Sequence, residues 1–250
     1  MSKRIAFVTG ASYGVGAATA LALARDGFDV AVSATRAANL EATLRQIEAA
    51  GVRAFPLALD LRAQPSVERA MADVIARFGH LDLLVNNAAL NLRKLAFDVT
   101  PEEWDEVMTT NIRGPFFLTQ QFGRHLTASG RPGAIINIAS VHGLIGAAER
   151  SVYGISKAAL IHMTRALAIE WAPHGIRVNA IAPGRMDTPS PSRTARTGDP
   201  QYLEAMRARI PLGRLATAEE VAAAVCYLAS AQAASITGHT LVLDGGMTIA

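Results

Sequence analysis

The sequence predicts an α/β fold in which a single doubly wound parallel sheet of about seven strands carries helices on both faces. Short apolar runs alternate with longer helical patterns along the chain. The runs are nearly continuous in Val, Ile, Leu and Ala, which is typical of parallel strands buried on both faces. With 250 residues, of which 50% are hydrophobic and 18% charged, the chain fits one domain over residues 1–250.

The apolar runs and helical patterns give the order of the elements. Strands are predicted at Arg4–Thr9, Asp29–Ser33, Arg53–Leu59, Leu81–Asn86, Ala134–Ala139, Arg177–Ile181 and His239–Leu243. Helices are predicted at Gly14–Asp26, Leu40–Ala50, Ser66–Phe78, Pro101–His125, Tyr153–Trp171 and Ala218–Ala229. Thr100 and Thr217 each precede a glutamate by three positions, which is the capping-box signal of a helix start. Right-handed crossovers are expected to join the parallel strands.

The segment 185–209 interrupts this alternation. It carries three prolines and a glycine among Ser, Thr and Arg, and it is longer than an ordinary connection. Because it follows the carboxyl end of a strand, where ligands bind in this architecture, we predict a substrate lid. The alternative is a tolerated surface insertion.

Charge and composition argue against several classes of partner. The net charge is +3 and no Lys/Arg run concentrates it, so no nucleic-acid partner is expected. Neither a secretion signal nor an apolar stretch of membrane-spanning length is found, and no membrane association is expected. The single cysteine, Cys226, cannot form an internal disulfide, which fits the cytoplasm. The histidines lack metal-ligand spacing, so no metal site is predicted.

A glycine-rich turn follows the first predicted strand and opens the first helix. Gly10, Gly14 and Gly16 allow a tight turn and a close backbone approach, and the helix N-terminus supplies unpaired N–H groups. This position predicts a site for the pyrophosphate of a dinucleotide. A glycine-rich turn without a ligand is the alternative.

The end of the second strand bears on the choice of dinucleotide. An Asp or Glu there would bind the ribose hydroxyls of NAD, but the chain has Ser33, Thr35 and Arg36. These residues favour NADP, because they could bind a 2′-phosphate that no carboxylate repels. NAD remains possible if Arg36 only begins a solvated helix. Asp60 follows the third strand and could accept a hydrogen bond from the adenine amino group, although a turn Asp would look the same.

Tyr153 and Lys157 lie four positions apart in a predicted helix, so they project from one face. A nearby ammonium lowers the pKa of a phenol, which lets it exchange a proton with a substrate oxygen near neutral pH. Ser140 ends an apolar run upstream and could orient that oxygen. A Tyr/Lys pair on a solvated helix face is the alternative.

Taken in order, these motifs resemble the short-chain dehydrogenase/reductase family, in particular its 3-oxoacyl-reductase-like members. The resemblance runs from Thr9 to Gly246 and rests on the glycine turn, Asn86-Asn87-Ala88, Asn111, Ser140, Tyr153-x3-Lys157 and Pro183-Gly184. One departure is Ala89, where the family usually has glycine; its methyl group is expected to tighten the site slightly.

The resemblance implies a Rossmann-type fold and specific roles. Tyr153 would be the general acid in reduction and the base in oxidation, Lys157 would lower its pKa and contact the nicotinamide ribose, and Ser140 would orient the substrate oxygen. Asn111 would hold a water that links Lys157 to solvent. The implied cofactor contacts are Gly10, Ser12, Tyr13, Gly14, Val15, Gly16, Thr35, Arg36, Asp60, Leu61, Asn87, Ala88, Ala89, Tyr153, Lys157, Pro183, Gly184 and Thr188. A homotetramer is implied, with a dimer as the next choice.

The substrate is less defined. Residues after the fourth to sixth strands should line its pocket, and the candidates are His142, Arg150, Arg185 and Lys94. Their charge suggests a small-molecule substrate with a carboxylate or phosphate, although basic rim residues are more often solvated surface. The predicted function is NADPH-dependent exchange of hydride with a carbonyl or secondary alcohol. The alternatives are a silent dinucleotide-binding sensor or scaffold, and an NAD-preferring dehydrogenase of a sugar or hydroxy acid.

Overall fold

The computed structural model of the protein describes residues 3–186 and 200–250, and its centre is a seven-stranded parallel sheet. The strand order is β3-β2-β1-β4-β5-β6-β7. The strands are β1 (Ile5–Val8), β2 (Asp29–Ala34), β3 (Ala54–Ala58), β4 (Leu83–Asn86), β5 (Gly133–Ile138), β6 (Ile176–Pro183) and β7 (Thr240–Leu243). The order reverses direction between β1 and β4, and ligands bind at such a switch point. The doubly wound Rossmann-type prediction is therefore confirmed.

Helices cover both faces of the sheet. They are α1 (Gly14–Arg25), α2 (Glu41–Ala49), α3 (Gln64–Phe78), α4 (Pro101–Met108), α5 (Gly114–Ser129), α6 (Ser151–Trp171), α7 (Pro200–Arg207) and α8 (Ala218–Ala229). Ile5 and Phe7 of β1 belong to a core shared with α3, α5 and α6. Ala6 and Val8 belong to the opposite core, shared with α1, α2 and α8. The alternation of side chains along each strand produces this two-layer packing.

The predicted helix Pro101–His125 is wrong as a single element. A π-helical turn at Thr109–Arg113 separates α4 from α5. The next residue, Gly114, lies so close to the end of β3 that a Cβ there would be 2.3 Å from the backbone oxygen of Leu61. The altered turn thus accompanies a tight backbone contact, and π-turns of this kind often mark functional sites.

The prediction for 185–209 needs a partial correction. Its last third forms α7, which begins with Pro200 at the first helical position, where proline is tolerated. At the other end, Met186 forms an isolated parallel bridge with Ala216. Residues 187–199 lie outside the described residues, so the closing motion of a lid stays a prediction.

A chain of buried amides and hydroxyls joins the sheet to two helices. Asn86 on β4 donates to Thr119 on α5 and to Asn137 on β5, both at 2.8 Å. Asn137 in turn donates to Thr164 on α6 at 2.9 Å. Because buried polar groups are costly to leave unpaired, this chain fixes α6 against the sheet. Within the described residues, no helix is long and apolar enough to cross a membrane.

Candidate active site

The glycine turn has the shape that a phosphate site requires. Gly10 has φ +65°, and a Cβ on it would lie 2.7 Å from the Cα of Ala88. A Cβ on Gly16 would lie 2.2 Å from the backbone oxygen of Gly10. No side-chain hydrogen bond from the N-cap residue Tyr13 closes the start of α1. Backbone N–H groups and the positive end of the helix dipole therefore remain available to an anion.

Asn87 holds this turn in place. Its side-chain Nδ2 donates to the backbone oxygens of Thr9 and Gly10, both at 2.9 Å. The Thr9 hydroxyl oxygen accepts from the backbone N–H groups of Asn87 and Ala88, at 3.0 and 3.1 Å. The end of β4 and the end of β1 are thus locked together, which makes Asn87 a support for the turn as well as a residue of the cavity wall.

A cavity of about 750 Å³ lies over the turn and suits a dinucleotide in size and in donor groups. It is lined by twelve of the predicted cofactor residues: Gly10, Ser12, Tyr13, Gly14, Val15, Gly16, Thr35, Asp60, Leu61, Asn87, Ala88 and Ala89. Ser33, Asn39 and Arg62 also line it. Asn39 and Arg62 were not predicted, and only their place just after β2 and β3 could have indicated them.

Arg62 neutralises the acidic groups of this cofactor cavity. Its guanidinium binds the Asp60 carboxylate at 3.0 Å and the Glu106 carboxylate at 3.1 Å. The hydrogen bonds from Arg62 are the largest cause that lowers the pKa of Asp60. Both carboxylates line the cavity, so without Arg62 they would oppose an anionic ligand.

The structure does not place Arg36 in the cavity wall. Its side chain is exposed, and it directly precedes a 3₁₀ turn, Ala37–Leu40. Thr35, one residue earlier, does line the cavity. Asn39, within that turn, lines the cavity as well, so wall residues lie on both sides of Arg36 in the sequence. The predicted contact of Arg36 with a 2′-phosphate stays a prediction.

A second cavity, of about 300 Å³, brings together Ser140, Tyr153 and Lys157. It shares Val15, Asn87, Ala89 and Asn91 with the cofactor cavity, so the two meet. The predicted Pro183 and Gly184 also line this catalytic cavity. Thr188, the last predicted contact, lies outside the described residues.

Lys157 is a buried cation beside Tyr153. Its Nζ donates to the backbone oxygen of Ile138 at 2.8 Å and lies 5.7 Å from the centroid of the Tyr153 ring. Burial lowers the pKa of Lys157 to about 8. The ammonium is therefore still largely charged at neutral pH, and in this low-dielectric site it favours negative charge on the neighbouring phenol oxygen.

Ser140 is held in an extended conformation at the end of β5, with φ −167° and ψ 154°. Its Oγ accepts a hydrogen bond from the backbone N–H of His142 at 3.2 Å. The turn that follows packs tightly on α6, since a Cβ on Gly143 would lie 2.7 Å from the backbone carbon of Lys157. This contact fixes the serine hydroxyl relative to Tyr153 and Lys157.

Asn111 lies in the π-helical turn and lines neither of these two cavities. Its amide Nδ2 donates to the Leu90 backbone oxygen at 2.9 Å and to the Ser156 hydroxyl at 3.0 Å, and its Oδ1 accepts from the Leu90 N–H at 2.7 Å. Ser156 donates to the Tyr153 backbone oxygen at 2.7 Å. Asn111 thus braces the residues after β4 against the Tyr153 turn of α6. Its predicted water relay stays a prediction.

The substrate candidates divide into two groups. His142, Arg150 and Arg185 line the catalytic cavity. Lys94 does not line it, because its ammonium binds the Glu103 carboxylate on α4 at 2.9 Å. Its contact with substrate stays a prediction. The described part of the predicted lid segment contributes Leu203 and Met206 of α7 to the wall. Leu215, beyond that segment, also lines the cavity and was not predicted.

His142 is a neutral group at neutral pH. Burial is the largest cause that lowers its pKa, and the nearby charges of Arg150 and Arg185 lower it further. Its ring meets the Tyr153 ring edge to face, with centroids 6.3 Å apart. Its buried Nδ1 has no hydrogen-bond partner among the described residues. Across residues 3–186 and 200–250, no group of three or more His, Cys, Asp or Glu side chains could hold a metal ion.

Comparison with known proteins agrees with this geometry. Residues 10–248 match the family described as enoyl-(acyl carrier protein) reductase. A short-chain dehydrogenase/reductase of Armillaria gallica is 39% identical over 98% of this chain and 95% of its own. The 3-oxoacyl-(acyl-carrier-protein) reductase of Thermotoga maritima is 33% identical over 100% of this chain and 99% of its own. A solved structure from Agrobacterium tumefaciens, described as a 2-deoxy-D-gluconate 3-dehydrogenase with bound NADP, is 36% identical, with TM-score 0.92 over 100% of this chain and 98% of its own.

Proposed function

Because the chain belongs to the short-chain dehydrogenase/reductase family and is an NAD(P)-dependent oxidoreductase acting on alcohols and carbonyl compounds, we propose that Tyr153, Ser140 and Lys157 carry its chemistry. The observation that supports this most directly is the shared wall of the two cavities. A ligand whose phosphates occupy the glycine turn can extend past Ala89 to within reach of Tyr153.

The proposed roles follow from the charge that develops in the reaction. The nicotinamide cofactor, when bound, supplies a hydride to a carbonyl carbon or accepts one from an alcohol. Tyr153 donates its phenol proton to the carbonyl oxygen in reduction and takes it back in oxidation. Ser140 donates a hydrogen bond to the same oxygen, and the ammonium of Lys157 stabilises the phenolate left on Tyr153.

The test is a two-way screen of the purified protein. NADPH and NADH would be offered with a panel of ketones and aldehydes, and the oxidised cofactors with alcohols, read at the nicotinamide absorbance. Tyr153→Phe should lower turnover by about a hundredfold to ten-thousandfold. The affinity for NADPH, measured by fluorescence, should hardly change.

Tyr227→Phe, on the exposed face of α8, is the matched control and should keep full activity. Near-normal turnover by Tyr153→Phe would refute the assignment. A wild-type protein that binds cofactor but reduces nothing would instead indicate a silent sensor or scaffold.

We further propose that NADPH is preferred over NADH. Ser33 and Thr35 line the cofactor cavity at the end of β2, with no carboxylate among the wall residues there. The two carboxylates elsewhere in the wall, Asp60 and Glu106, are bound by Arg62. The solved relative with bound NADP is consistent with this choice. Arg36 is long enough to reach a 2′-phosphate from the rim without lining the wall.

The ratio of kcat/KM for the two cofactors tests this preference. Arg36→Gln should lower the value for NADPH by about tenfold and leave that for NADH unchanged. A higher kcat/KM with NADH in the wild-type protein would favour the second candidate, an NAD-preferring dehydrogenase of a sugar or hydroxy acid. The exposed position of Arg36 favours the NAD preference of that candidate. The deoxygluconate dehydrogenase relative, which holds NADP, favours only its sugar-acid substrate.

A homotetramer in the cytoplasm completes the proposal. Phe116, Gly123, Leu167 and Trp171 line a largely apolar groove between α5 and α6, which a second copy of the chain would cover. Phe116→Glu should reduce the mass found by light scattering, whereas Phe97→Glu, fully exposed outside the groove, should not. A monomeric wild-type protein would refute assembly.

The cytoplasmic location is supported by the single Cys226, which cannot form an internal disulfide. Cell fractionation tests this location.

A further inference from the structure

The catalytic cavity continues into a second chamber of about 240 Å³. The two spaces share Arg93, His142, Arg150, Arg185 and Met206. The chamber adds Arg209, from the residues after α7, and the small side chains of Ala147, Ala148 and Ala205. We propose that this arginine chamber binds an anionic group, a carboxylate or a phosphate, carried by the substrate whose carbonyl or hydroxyl reacts at Tyr153. The proposal rests on the proposed function.

Positively charged side chains dominate the described wall of the chamber. Four arginines line it, and none of the described wall residues is acidic. Arg93 is balanced by an ion pair with Glu149, which stands just outside the wall. An anionic group would meet these positive charges in a partly enclosed space, where such interactions are stronger than in water.

Arg185 is the arginine whose surroundings most favour a bound anion. It directly follows Gly184 at the end of β6, and its backbone oxygen accepts from the N–H of Ala216 at 3.1 Å, which fixes the start of the side chain. Its Nε is buried and has no hydrogen-bond partner among the described residues. A buried guanidinium N–H without an acceptor is costly, so the site favours a ligand oxygen there. A purely solvated rim arginine would not bury this atom.

His142 supplies a neutral contact beside these cations. Its Nδ1 is also buried without a partner in the described part of the chain, and its ring lies against Tyr153. Because burial, Arg150 and Arg185 all lower its pKa, it adds a hydrogen-bonding group without adding charge at neutral pH. The arginines then supply the attraction for an anion, and a hydrogen bond with His142 would orient the substrate beside the Tyr153 phenol.

The geometry of the chamber also limits the position of the anion. Arg93 and Glu149 join the residues after β4 to the loop before α6, and the Lys94 N–H donates to the Glu149 backbone oxygen at 3.0 Å. Glu149 itself has φ +61°, an uncommon value for a residue other than glycine. These bonds hold the loop before α6 in place as one wall of the chamber. A cavity of this size accommodates a small anionic group.

The experiment uses charged and neutral substrate pairs with NADPH. 3-Oxobutanoate is compared with 3-oxobutanamide, and dihydroxyacetone phosphate with dihydroxyacetone. Binding of 3-hydroxybutanoate and of inorganic phosphate to the NADP⁺-saturated protein is measured by calorimetry. The anionic member of at least one pair should have a kcat/KM about tenfold higher, the factor that one charge-assisted hydrogen bond supplies. The pair that responds identifies carboxylate or phosphate as the source.

Arg185→Gln should reduce that preference by about tenfold while reduction of the neutral member persists. Arg77→Gln, which removes an exposed arginine near the end of α3, is the matched control and should leave the ratio unchanged. Equal values within both pairs, or no effect of Arg185→Gln on the ratio, would overturn the proposal. If neither anionic substrate is reduced, and if neither 3-hydroxybutanoate nor inorganic phosphate binds, the proposal is overturned too. Reduction of the neutral compounds in these cases would leave the proposed function intact.

Discussion

The cofactor cavity and the catalytic cavity meet at Ala89 but are built from different parts of the chain. The phosphate end of the cofactor cavity rests on one continuous turn, Gly10–Gly16, in which Gly10 and Gly16 leave no room for a Cβ. The catalytic cavity gathers Ser140, Tyr153 and residues as distant as Met206. The first is therefore a site of backbone shape, and the second is a site of side chains brought together by folding.

The two cavities also treat charge differently. In the cofactor cavity, Arg62 neutralises two carboxylates, so backbone N–H groups are left to meet the ligand. In the catalytic cavity, Lys157 is buried and Arg185 has an unpartnered buried Nε among the described residues. The difference predicts that cofactor affinity is sensitive mainly to steric fit, whereas turnover is sensitive to buried positive charge.

Lys157→Met should have the largest effect, because it removes the buried charge. Turnover should fall by at least about a hundredfold. The folded pKa of Lys157, about 8, lies below its ordinary value of 10.5, so between these values the unfolded chain binds a proton that the folded chain does not. The unfolding free energy of the wild type should therefore rise relative to that of the variant across this pH range, by roughly 3 kcal/mol. Urea titrations at several pH values measure this, and parallel curves would contradict it.

Gly16→Ala tests the importance of backbone shape. The added Cβ would lie 2.2 Å from the backbone oxygen of Gly10, so the turn must shift. NADPH affinity, measured by fluorescence titration, should fall by about a hundredfold, the effect of losing two or more phosphate hydrogen bonds. Gly51→Ala is the control, since φ is +78° but nothing lies within 4 Å of its Cβ. It should lower stability by about 1 kcal/mol and leave affinity unchanged. Wild-type affinity in Gly16→Ala would show that shape is not decisive.

Arg62→Gln tests the neutralised charges. With Arg62 removed, Asp60 and Glu106 keep their charge beside an anionic ligand, and NADPH affinity should fall by about fivefold at low salt. The loss should shrink in concentrated salt, because exposed charges are screened. Arg69→Gln, an exposed change on α3, should have no effect. A loss independent of salt would mean that Arg62 acts by packing.

Ala89→Gly should have the smallest effect. The methyl group lies where the two cavities meet, and the residue is exposed. We expect KM for NADPH to change by less than about threefold, since only one methyl contact is altered. A tenfold change in KM would show that the methyl group helps to position the cofactor. Ala89 would then contribute to cofactor binding as well as to the wall of the catalytic cavity.

Much of the fold followed from apolar periodicity. Each predicted strand agrees with the structure to within two residues at either end. The capping boxes at Thr100 and Thr217 are both present, with side-chain and backbone bonds made in each direction. Such signals are local, so neighbouring residues are enough to decide them. The break between α4 and α5 was missed, because it coincides with a distant contact between Gly114 and Leu61.

In the site, too, features that depend on neighbouring residues were predictable and features that depend on distant contacts were not. Tyr153, Lys157 and Ser140 were assigned from their spacing and order, and the structure brings them to one cavity. Lys94 and Arg36 were assigned from their position after a strand, and neither lines the expected cavity. A strand end fixes where a backbone leaves the sheet, but the direction of a long side chain depends on its partners. Glu103 on α4 turns Lys94 away, and no sequence pattern specified that pair.

The sequence by itself determined the alternating α/β order, the glycine turn and the helical Tyr153/Lys157 pair, because each depends on residues close together in the chain. The tertiary structure alone decided the π-helical turn at Asn111, the role of α7 in the cavity wall and the arginine chamber around Arg185. These features need residues from several strand ends to meet. Their energies come from burial and charge, which exist only once the chain has folded.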